Sequence, residues 1–360
     1  MTHAPEPFRI WAFGDAHVGT DLQHGRSSLS EAISQSEIGG DEGGPAFDWD
    51  IAVDVGDMSG AHHKLPDDEE GRQIRQQFAT LGKHRREDVY SVCGNHDRSG
   101  LDEPEAWWWR KWIDPLGEHT EFSGVDPAAR RHPVSGQWSH YSFRVGNILF
   151  LMLSDRNEPT QTVGRGTLGG NPGGVVTGET FRWWKDMVLA HPDDIIVTVH
   201  HYVLKDTTVA SGEWEGVRRN ESGELVEHYH RPFDAGTPNG ASYLYWVDSR
   251  PDSGAFETFL AEHPGRVHLW LAGHTHTHPD DNYGGKTHIE QRWGTWFLNV
   301  ASLSRYHMPI TTLPVSRRLT FTPGSAEVSV QCYLHTSQYA AQGWYPPAER
   351  TLILNAVFLR

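Results

Sequence analysis

The chain has 360 residues, with 31 lysines and arginines against 47 aspartates and glutamates, which gives a formal net charge of −16. A negative field of that size repels nucleic-acid backbones, so the composition disfavours nucleic acid as a dedicated partner. Two cysteines cannot build a disulfide framework, and without a leader segment or an apolar run of membrane-spanning length we expect a soluble, cytoplasmic protein with no membrane partner.

Apolar runs that alternate with helical periodicity predict an α/β fold. Continuous apolar runs, typical of strands buried on both faces, occupy residues 8–13, 49–55, 88–93, 195–199, 267–272 and 296–300. Apolar residues at helical spacing predict helices at residues 67–84 and 105–113, within 18–46, and around Trp184 and Phe259. A Gly146-Asn147 turn predicts a hairpin of residues 141–145 and 148–153. The alternating pattern after Pro314 predicts strands that extend one sheet, the last at 352–359.

Side chains that can bind a metal follow five of these apolar runs directly. In chain order they are Gly14-Asp15-Ala16-His17, Gly56-Asp57, Gly94-Asn95-His96-Asp97, His200-His201 and Gly273-His274-Thr275-His276. Because open α/β sheets keep their sites at the carboxyl ends of strands, we expect these side chains to meet at one edge. One such fragment is usually just a polar loop, but five strand-then-ligand units are hard to assign to chance.

The residue types indicate metal-assisted phosphate chemistry. Asp15 and His17 lie two residues apart on extended chain, so their side chains project to the same side. A carboxylate and an imidazole suit a borderline divalent metal, and the two oxygens of Asp57 can bridge two ions. Two metals about 3.5–4 Å apart orient a phosphate, neutralise its developing charge and lower the pKa of a shared water. Hydrolysis of a phosphate ester needs these effects.

The five fragments together resemble the calcineurin-like metallophosphoesterases, whose pattern runs D-x-H, G-D, G-N-H-[DE], H and G-H-x-H. The resemblance spans roughly residues 8–305 and agrees in order, residue types and strand context. It implies a four-layer α-β-β-α sandwich of two mixed β-sheets flanked by helices. It also implies two metal ions of the Mn, Fe or Zn type, and a metal-bridging hydroxide as the nucleophile.

The resemblance carries roles onto individual residues. One metal would be bound by Asp15, His17, Asp57 and His276. The second would be bound by Asp57, Asn95, His200 and His274. His96 is not a ligand in this pattern; it would stabilise the transition state and protonate the leaving-group oxygen.

Several residues have an interpretation other than metal binding, and for some the choice between two residues or roles stays open. His200 is favoured over His201 because it is the first residue after its strand. His201, His278, His62 and His63 are interpreted as surface histidines or as neighbours of the ligands. The four tryptophans between residues 107 and 112 are interpreted as core, and the acidic residues 67–70 as a helix start. Gly60 stands where the family's protein phosphatases carry an aspartate that pairs with the catalytic histidine, so we hypothesise that Asp97 orients His96 instead.

The predicted organisation is a phosphoesterase domain at residues 7–305 and a β-rich extension at 306–360 that packs on it. The irregular residues 205–250 are a candidate cap over the cleft, with a peripheral loop as the alternative. The predicted function is hydrolysis of a small phosphoester, with a diester favoured over a monoester. A non-catalytic metal- or phosphate-binding relative is the alternative, which the intact ligand set and His96 disfavour. The natural substrate and the oligomeric state are not encoded in any recognisable pattern.

Overall fold

The structure is a computed structural model. It describes residues 6–60, 68–97, 106–156, 174–212, 217–219, 225–227, 243–247, 250–251, 254–307 and 312–360. Most of residues 205–250, the candidate cap, therefore lie outside the described residues, as do His62 and His63. None of the described helices has the length and apolarity needed to cross a bilayer.

The elements of the described residues are numbered in chain order. The helices are α1 (Val18–Gln23), α2 (Ser28–Ile38), α3 (Glu69–Phe78), α4 (Trp107–Trp112), α5 (Thr120–Ser123), α6 (Gly178–Ala190) and α7 (Gly254–Glu262). The strands are β1 (Phe8–Phe13), β2 (Ile51–Asp54), β3 (Val89–Ser91), β4 (Ser135–Gln137), β5 (His140–Val145), β6 (Ile148–Leu153), β7 (Gly174–Val176), β8 (Ile195–Val199), β9 (Val217–Arg219), β10 (Leu225–Glu227), β11 (Leu244–Val247), β12 (Arg250–Pro251), β13 (Leu269–Ala272), β14 (Ile289–Arg292), β15 (Thr295–Asn299), β16 (Val315–Phe321), β17 (Glu327–Leu334), β18 (Gly343–Trp344) and β19 (Arg350–Ile353).

Two mixed sheets form the centre of the molecule. The first has the order β18-β17-β16-β1-β2-β3, with β19 also paired to β17, and the second has the order β14-β15-β13-β8-β6-β5-β4. In the first sheet β1, β2 and β3 run parallel, while β16 is antiparallel to β1. In the second sheet β6, β8, β13 and β15 run parallel. Each sheet therefore contains a block of neighbouring parallel strands whose carboxyl ends lie along one edge.

The largest apolar core lies between the two sheets. One face of each sheet contributes alternate residues to it, such as Ile10 and Val53 from the first sheet and Phe150, Val197 and Leu271 from the second. All five side chains are fully buried, as expected for strands that pack face to face.

Helices cover the two outer faces. Trp11 and Phe13 of β1 pack with Ile33 of α2, Ile74 of α3 and Trp109 of α4. Trp108, Trp109 and Trp112 are thus part of the core, as interpreted from the sequence, whereas Trp107 is half-buried.

On the other outer face, Leu151 of β6 and Trp270 of β13 pack with Trp184 and Val188 of α6 and Phe256 of α7. The layers therefore follow the order helix, sheet, sheet, helix. The predicted four-layer α-β-β-α class is confirmed.

The predicted extent of the last strand is wrong. The sequence predicts pairing over residues 352–359, whereas β19 ends at Ile353. Beyond it the chain leaves β17 and reaches the hairpin of the second sheet, where the amide of Asn147 donates to the carbonyl of Leu359 at 2.9 Å. Phe358 still packs into the core between the sheets. The apolar alternation therefore reports burial in this segment, but not strand pairing.

Phe150 provides a test of the packing between the sheets. Its ring is fully buried and stacks on Phe143 with ring centroids 4.4 Å apart. Phe150→Ala should lower the free energy of unfolding by about 3–5 kcal/mol, because it removes buried apolar surface and leaves a cavity. Leu189→Ala on α6, where the side chain is 43% exposed, is the control and should change it by no more than about 0.5 kcal/mol. Urea unfolding measures both, and equal effects would contradict the assigned core.

Candidate metal centre

The five ligand-bearing fragments all meet at the carboxyl ends of the parallel strands. Asp15, Asp57 and Asn95 follow β1, β2 and β3 of the first sheet, while His201 and His274 follow β8 and β13 of the second. Backbone hydrogen bonds tie these ends to each other: the amide of Asp15 donates to the carbonyl of Gly56 at 2.8 Å, and that of Gly273 to the carbonyl of His201 at 2.9 Å. The two sheets thus deliver one set of side chains to one place.

Backbone conformation in these turns is unusual. Five of the predicted site residues have left-handed φ angles: Asp15 (51°), His17 (40°), Asp57 (57°), His274 (71°) and His276 (51°). Residues with a Cβ rarely adopt this region, and such outliers concentrate at functional sites where the surroundings hold them. The turns reverse the chain immediately after each strand, which keeps successive polar side chains at the sheet edge.

Asp15, His17 and His276 form the first group. The Nε2 atom of His276 lies 2.8 Å from Oδ1 of Asp15 and 3.2 Å from Nε2 of His17. Asp15 and His17 are fully buried, and His276 is half-buried. One potential ligand atom from each of the three side chains lies within 4.8 Å of the others.

Asp57, His201 and His274 form the second group, and Asn95 lies against it. The Nε2 atom of His201 lies 3.2 Å from Oδ2 of Asp57, 3.2 Å from Nδ1 of His274 and 3.0 Å from Oδ1 of Asn95. The hydroxyl of Tyr202 donates to the same Asn95 oxygen at 2.9 Å. That bond identifies Oδ1 as the amide atom that faces the group.

The carboxylate of Asp57 faces both groups. Its Oδ2 atom lies 3.2 Å from Nε2 of His201 in the second group and 3.9 Å from Nε2 of His17 in the first. Its Oδ1 atom accepts the backbone amide of His96 at 2.7 Å. The position between the groups is the one that a bridging ligand would need.

Ring orientation shows that the donor set fits a metal. The Nδ1 atoms of His17 and His201 lie 2.8 and 2.9 Å from the carbonyl oxygens of Ser59 and Val55. A carbonyl only accepts, so both Nδ1 atoms carry a proton and both Nε2 atoms face the site. For His201 the neighbours there are the acceptor oxygens of Asp57 and Asn95, an arrangement that calls for a cation between them.

The charges of the site favour a cation as well. Burial alone would lower the pKa of His201, but the carboxylates of Asp57 and Asp15 outweigh it and raise that pKa to about 10. Burial would raise the pKa of Asp15, yet His276 and His201 hold it well below its usual range. Two buried carboxylates thus stabilise positive charge at this point, which suits divalent metal ions.

The choice between the adjacent histidines His200 and His201 is corrected by the structure. The sequence prediction takes His200, but its Nδ1 accepts the backbone amide of Tyr202 at 3.0 Å and its ring lies outside both groups. Burial, with a further effect of His201, lowers the pKa of His200 to about 3. His201 occupies the predicted place instead.

Strand alternation explains this correction. Along β8, Ile195, Val197 and Val199 face the core between the sheets, whereas Ile196 faces the helices. Side chains alternate along a strand, so residue 200 continues the outer face and residue 201 the inner face, where the first sheet supplies its ligands. Period-two reasoning on the apolar residues of β8 could have identified His201.

Asp97 makes backbone contacts that the hypothesis about His96 did not include. Its fully buried carboxylate accepts the backbone amides of Asp57, Ser59 and Gly94, each at 2.9 Å. Burial, together with the Asp57 carboxylate, raises the pKa of Asp97 to about 7. These bonds tie the turn after β2 to the turn after β3, so Asp97 positions the backbone of the site.

Glu70 is a supporting residue that the sequence interpretation missed. The acidic stretch does begin a helix, but Oε1 of Glu70 also accepts the amides of Gly19 and Gly60 at 2.6 and 2.7 Å, and Oε2 accepts the hydroxyl of Ser59. A Cβ at Gly60 would lie 2.4 Å from the amide nitrogen of Thr20. The close approach of these loops therefore leaves no room for an aspartate side chain at this position.

Comparison with known proteins gives little further information. No protein-family model matches the chain, and no curated protein matches it. Among solved structures, Vacuolar Protein Sorting 29 from Cryptosporidium parvum has 11% identity and a TM-score of 0.34, over 97% of this chain and 100% of its own. Sulfate thiohydrolase SoxB from Thermus thermophilus has 12% identity and a TM-score of 0.39, over 98% of this chain and 58% of its own. TM-scores this low do not establish a common fold, so the fold is assigned from the order of helices and sheets described above.

The paired histidines allow a direct test of the metal ligands. His201→Ala should weaken the binding of Mn²⁺ or Zn²⁺ by at least roughly 100-fold, since it removes a nitrogen that points into the second group. His200→Ala is the matched control, because it removes an adjacent and equally buried imidazole that faces away. Titration calorimetry, with the melting temperature recorded for each variant, measures both. Metal loss confined to His200→Ala would contradict the assignment.

Asp54 gives a pH dependence that can be checked. Burial raises the pKa of Asp54 from 3.8 to about 8, and the nearby charge of Asp97 adds to this effect. Between about pH 4 and pH 8 the folded protein holds a proton that the unfolded chain has lost, so stability falls as the pH rises through this window. Asp54→Asn keeps an acceptor for the amide of Gly56, which Oδ1 binds at 3.0 Å, and removes the titration.

The free energy of unfolding of the wild type should therefore fall more steeply with pH than that of Asp54→Asn. The difference in slope should reach up to about 1.4 kcal/mol per pH unit inside the window and vanish below it. Urea unfolding at fixed metal concentration measures both curves. Parallel curves would show that Asp54 titrates normally in the folded state.

Proposed function

We propose that this chain is a metal-dependent phosphoester hydrolase. The observation that carries the proposal is the Asp57 carboxylate, which faces both ligand groups while its second oxygen accepts the backbone amide of His96. The proposed ligands are Asp15, His17 and His276 for one ion, and Asn95, His201 and His274 for the other, with Asp57 shared. The ion types expected are Mn, Fe or Zn.

Two ions held in this way would supply Lewis acidity toward the phosphoryl oxygens and the attacking water. The chain's own residues perform the other tasks. Its carboxylates and imidazoles hold the site, and the apolar core beneath the turns excludes water from their far side. The Asp57 carboxylate also fixes the backbone of His96, which sets where that ring lies.

His96 is the proposed proton donor to the leaving oxygen. Its ring lies perpendicular to that of His17, with centroids 5.0 Å apart, and it belongs to neither ligand group. It is half-buried, whereas Asp57 and Asn95 beside it are buried, so it lies at the open side of the site. A protonated imidazole there can donate to the alcohol oxygen as the phosphorus–oxygen bond breaks.

Three finer assignments remain part of this proposal. The preference for a diester over a monoester rests on the sequence pattern, which departs from the protein phosphatases at Gly60. The partner is a small phosphoester rather than nucleic acid, in keeping with the net charge of −16. A cytoplasmic location is proposed on the same sequence grounds. A non-catalytic metal-binding protein of this fold is the alternative that the activity test decides.

His96→Ala tests both the activity and the proton donor. Purified protein of known metal content is assayed against aryl phosphate monoesters and diesters whose leaving groups differ in acidity. The variant should keep its metals and lose roughly 10²–10⁴-fold in kcat, because it removes the general acid. The loss should shrink for the most acidic leaving groups, which depart without a proton.

Two outcomes would contradict parts of this proposal. Metal-loaded wild type that cleaves no ester in the series would favour the non-catalytic alternative. An equal loss in His96→Ala across all leaving groups would show that His96 positions the substrate and donates no proton.

A further inference from the structure

His307 packs directly against the proposed metal centre, although no motif includes it. It is only 4% exposed, and its ring stacks on that of His17 with centroids 3.4 Å apart and planes 11° from parallel. It also meets the His96 ring edge to face at 4.5 Å. One ring nitrogen from each of His17, His96 and His307 lies within 4.8 Å of the other two.

A buried carboxylate holds the turn that carries His307. Asp21 accepts the hydroxyl of Ser304 at 2.6 Å and the amides of Arg305 and Tyr306, each at 3.0 Å. The Ser304 hydroxyl oxygen in turn accepts the amide of His307 at 3.1 Å. The placement of this ring is therefore built into the fold and does not depend on a surface rotamer.

The orientation of His307 follows from its partner. Its Nδ1 atom lies 3.3 Å from the hydroxyl of Thr20, which also bonds the carbonyl of Gly60 at 2.9 Å. The Nδ1 atom of His17 likewise faces residues 59–60, through the carbonyl of Ser59. The two stacked rings thus direct Nδ1 to the same segment, and one ring nitrogen of His307 lies within 4.8 Å of a ring nitrogen of His17.

His307 lies outside the two ligand groups that Asp57 joins, although its ring stacks on the ligand His17. One of its ring nitrogens is therefore placed to meet a group bound at the centre, next to His96.

We propose that His307 is a further substrate-contacting residue, which together with His96 binds the phosphoryl group of the ester by donating a ring N–H to a phosphoryl oxygen. This inference rests on the proposed function, and it adds a residue from the segment after β15 that the ligand pattern does not contain. The expected contribution is that of one hydrogen bond to a charged oxygen, which affects phosphate binding and the transition state but not the metals.

His307→Phe and His307→Ala separate contact from packing. Phenylalanine keeps a flat ring against His17 and removes the nitrogen, whereas alanine removes both. His24→Phe is the control, because His24 stacks on Tyr306 of the same turn, with centroids 4.6 Å apart, and is exposed. Calorimetry measures Mn²⁺ or Zn²⁺ affinity first and then inorganic phosphate binding to the metal-loaded protein, and kcat/KM is measured for an aryl phosphate.

His307→Phe should retain the metal affinity of the wild type, bind inorganic phosphate roughly 10–100-fold more weakly and lose roughly 10²–10³-fold in kcat/KM. His24→Phe should match the wild type in all three measurements. Unchanged phosphate affinity and kcat/KM in His307→Phe would overturn the inference, since the ring would then serve packing alone.

Two further results would also overturn it. Weaker metal binding in His307→Phe would mean that His307 acts through His17, and failure of the metal-loaded wild type to bind inorganic phosphate would remove the anion site altogether. The two proposals fail separately. A wild type that binds phosphate but cleaves no ester refutes the hydrolase, while the phosphate affinities of His307→Phe and the wild type still decide the role of His307.

Discussion

The packing of the two sheets is the constraint on which the site depends. Apolar side chains between the sheets bring the carboxyl ends of β1, β2 and β3 against those of β8 and β13. Bonds across the sheets then set the alignment: Nδ1 of His201 meets the carbonyl of Val55 at 2.9 Å, and the amide of His274 donates to the Asp15 carboxylate at 3.0 Å. Four of the seven proposed ligands follow strands of the first sheet and three follow strands of the second, so neither sheet alone could form the centre.

A site of this kind is costly to build in a protein interior. Five residues in three turns adopt left-handed backbone conformations, and the carboxylates of Asp15 and Asp57 are removed from water. Both terms oppose folding unless positive charge compensates them. The raised pKa of His201 and the lowered pKa of Asp15 show that the site already draws positive charge toward itself. Bound divalent ions would relieve the same imbalance and would stabilise the fold by mass action.

Three further acids have a separate task, which is to hold backbone. Asp97 binds the turns after β2 and β3, Glu70 binds the segment that fixes His17, and Asp21 binds the turn that carries His307. A carboxylate accepts several amides at once, so it can fix a loop that has no regular secondary structure. The loops of the site are thus held almost as firmly as the strands that they follow, and this gives the imidazoles their defined directions.

The sequence by itself determined the layered fold and most of the candidate site. Continuous apolar runs predict strands buried on both faces, and a ligand residue directly after such a run must lie at a sheet edge. Asp15, His17, Asp57, Asn95, His274 and His276 were all recognisable on that local basis. The signal sufficed because strand ends and ligand types are properties of short segments.

Only the tertiary structure decided what depends on contacts between distant segments. His201 replaces His200 because the face of β8 that meets the first sheet is defined by packing. Asp97 and Glu70 bind backbone that the chain brings to them from other loops. His307 reaches His17 across 290 residues because the segment after β15 bonds the turn after β1, through the amides of Leu303 and Ser304. No local period encodes such contacts, since they arise when the two sheets and their connecting loops close around one edge.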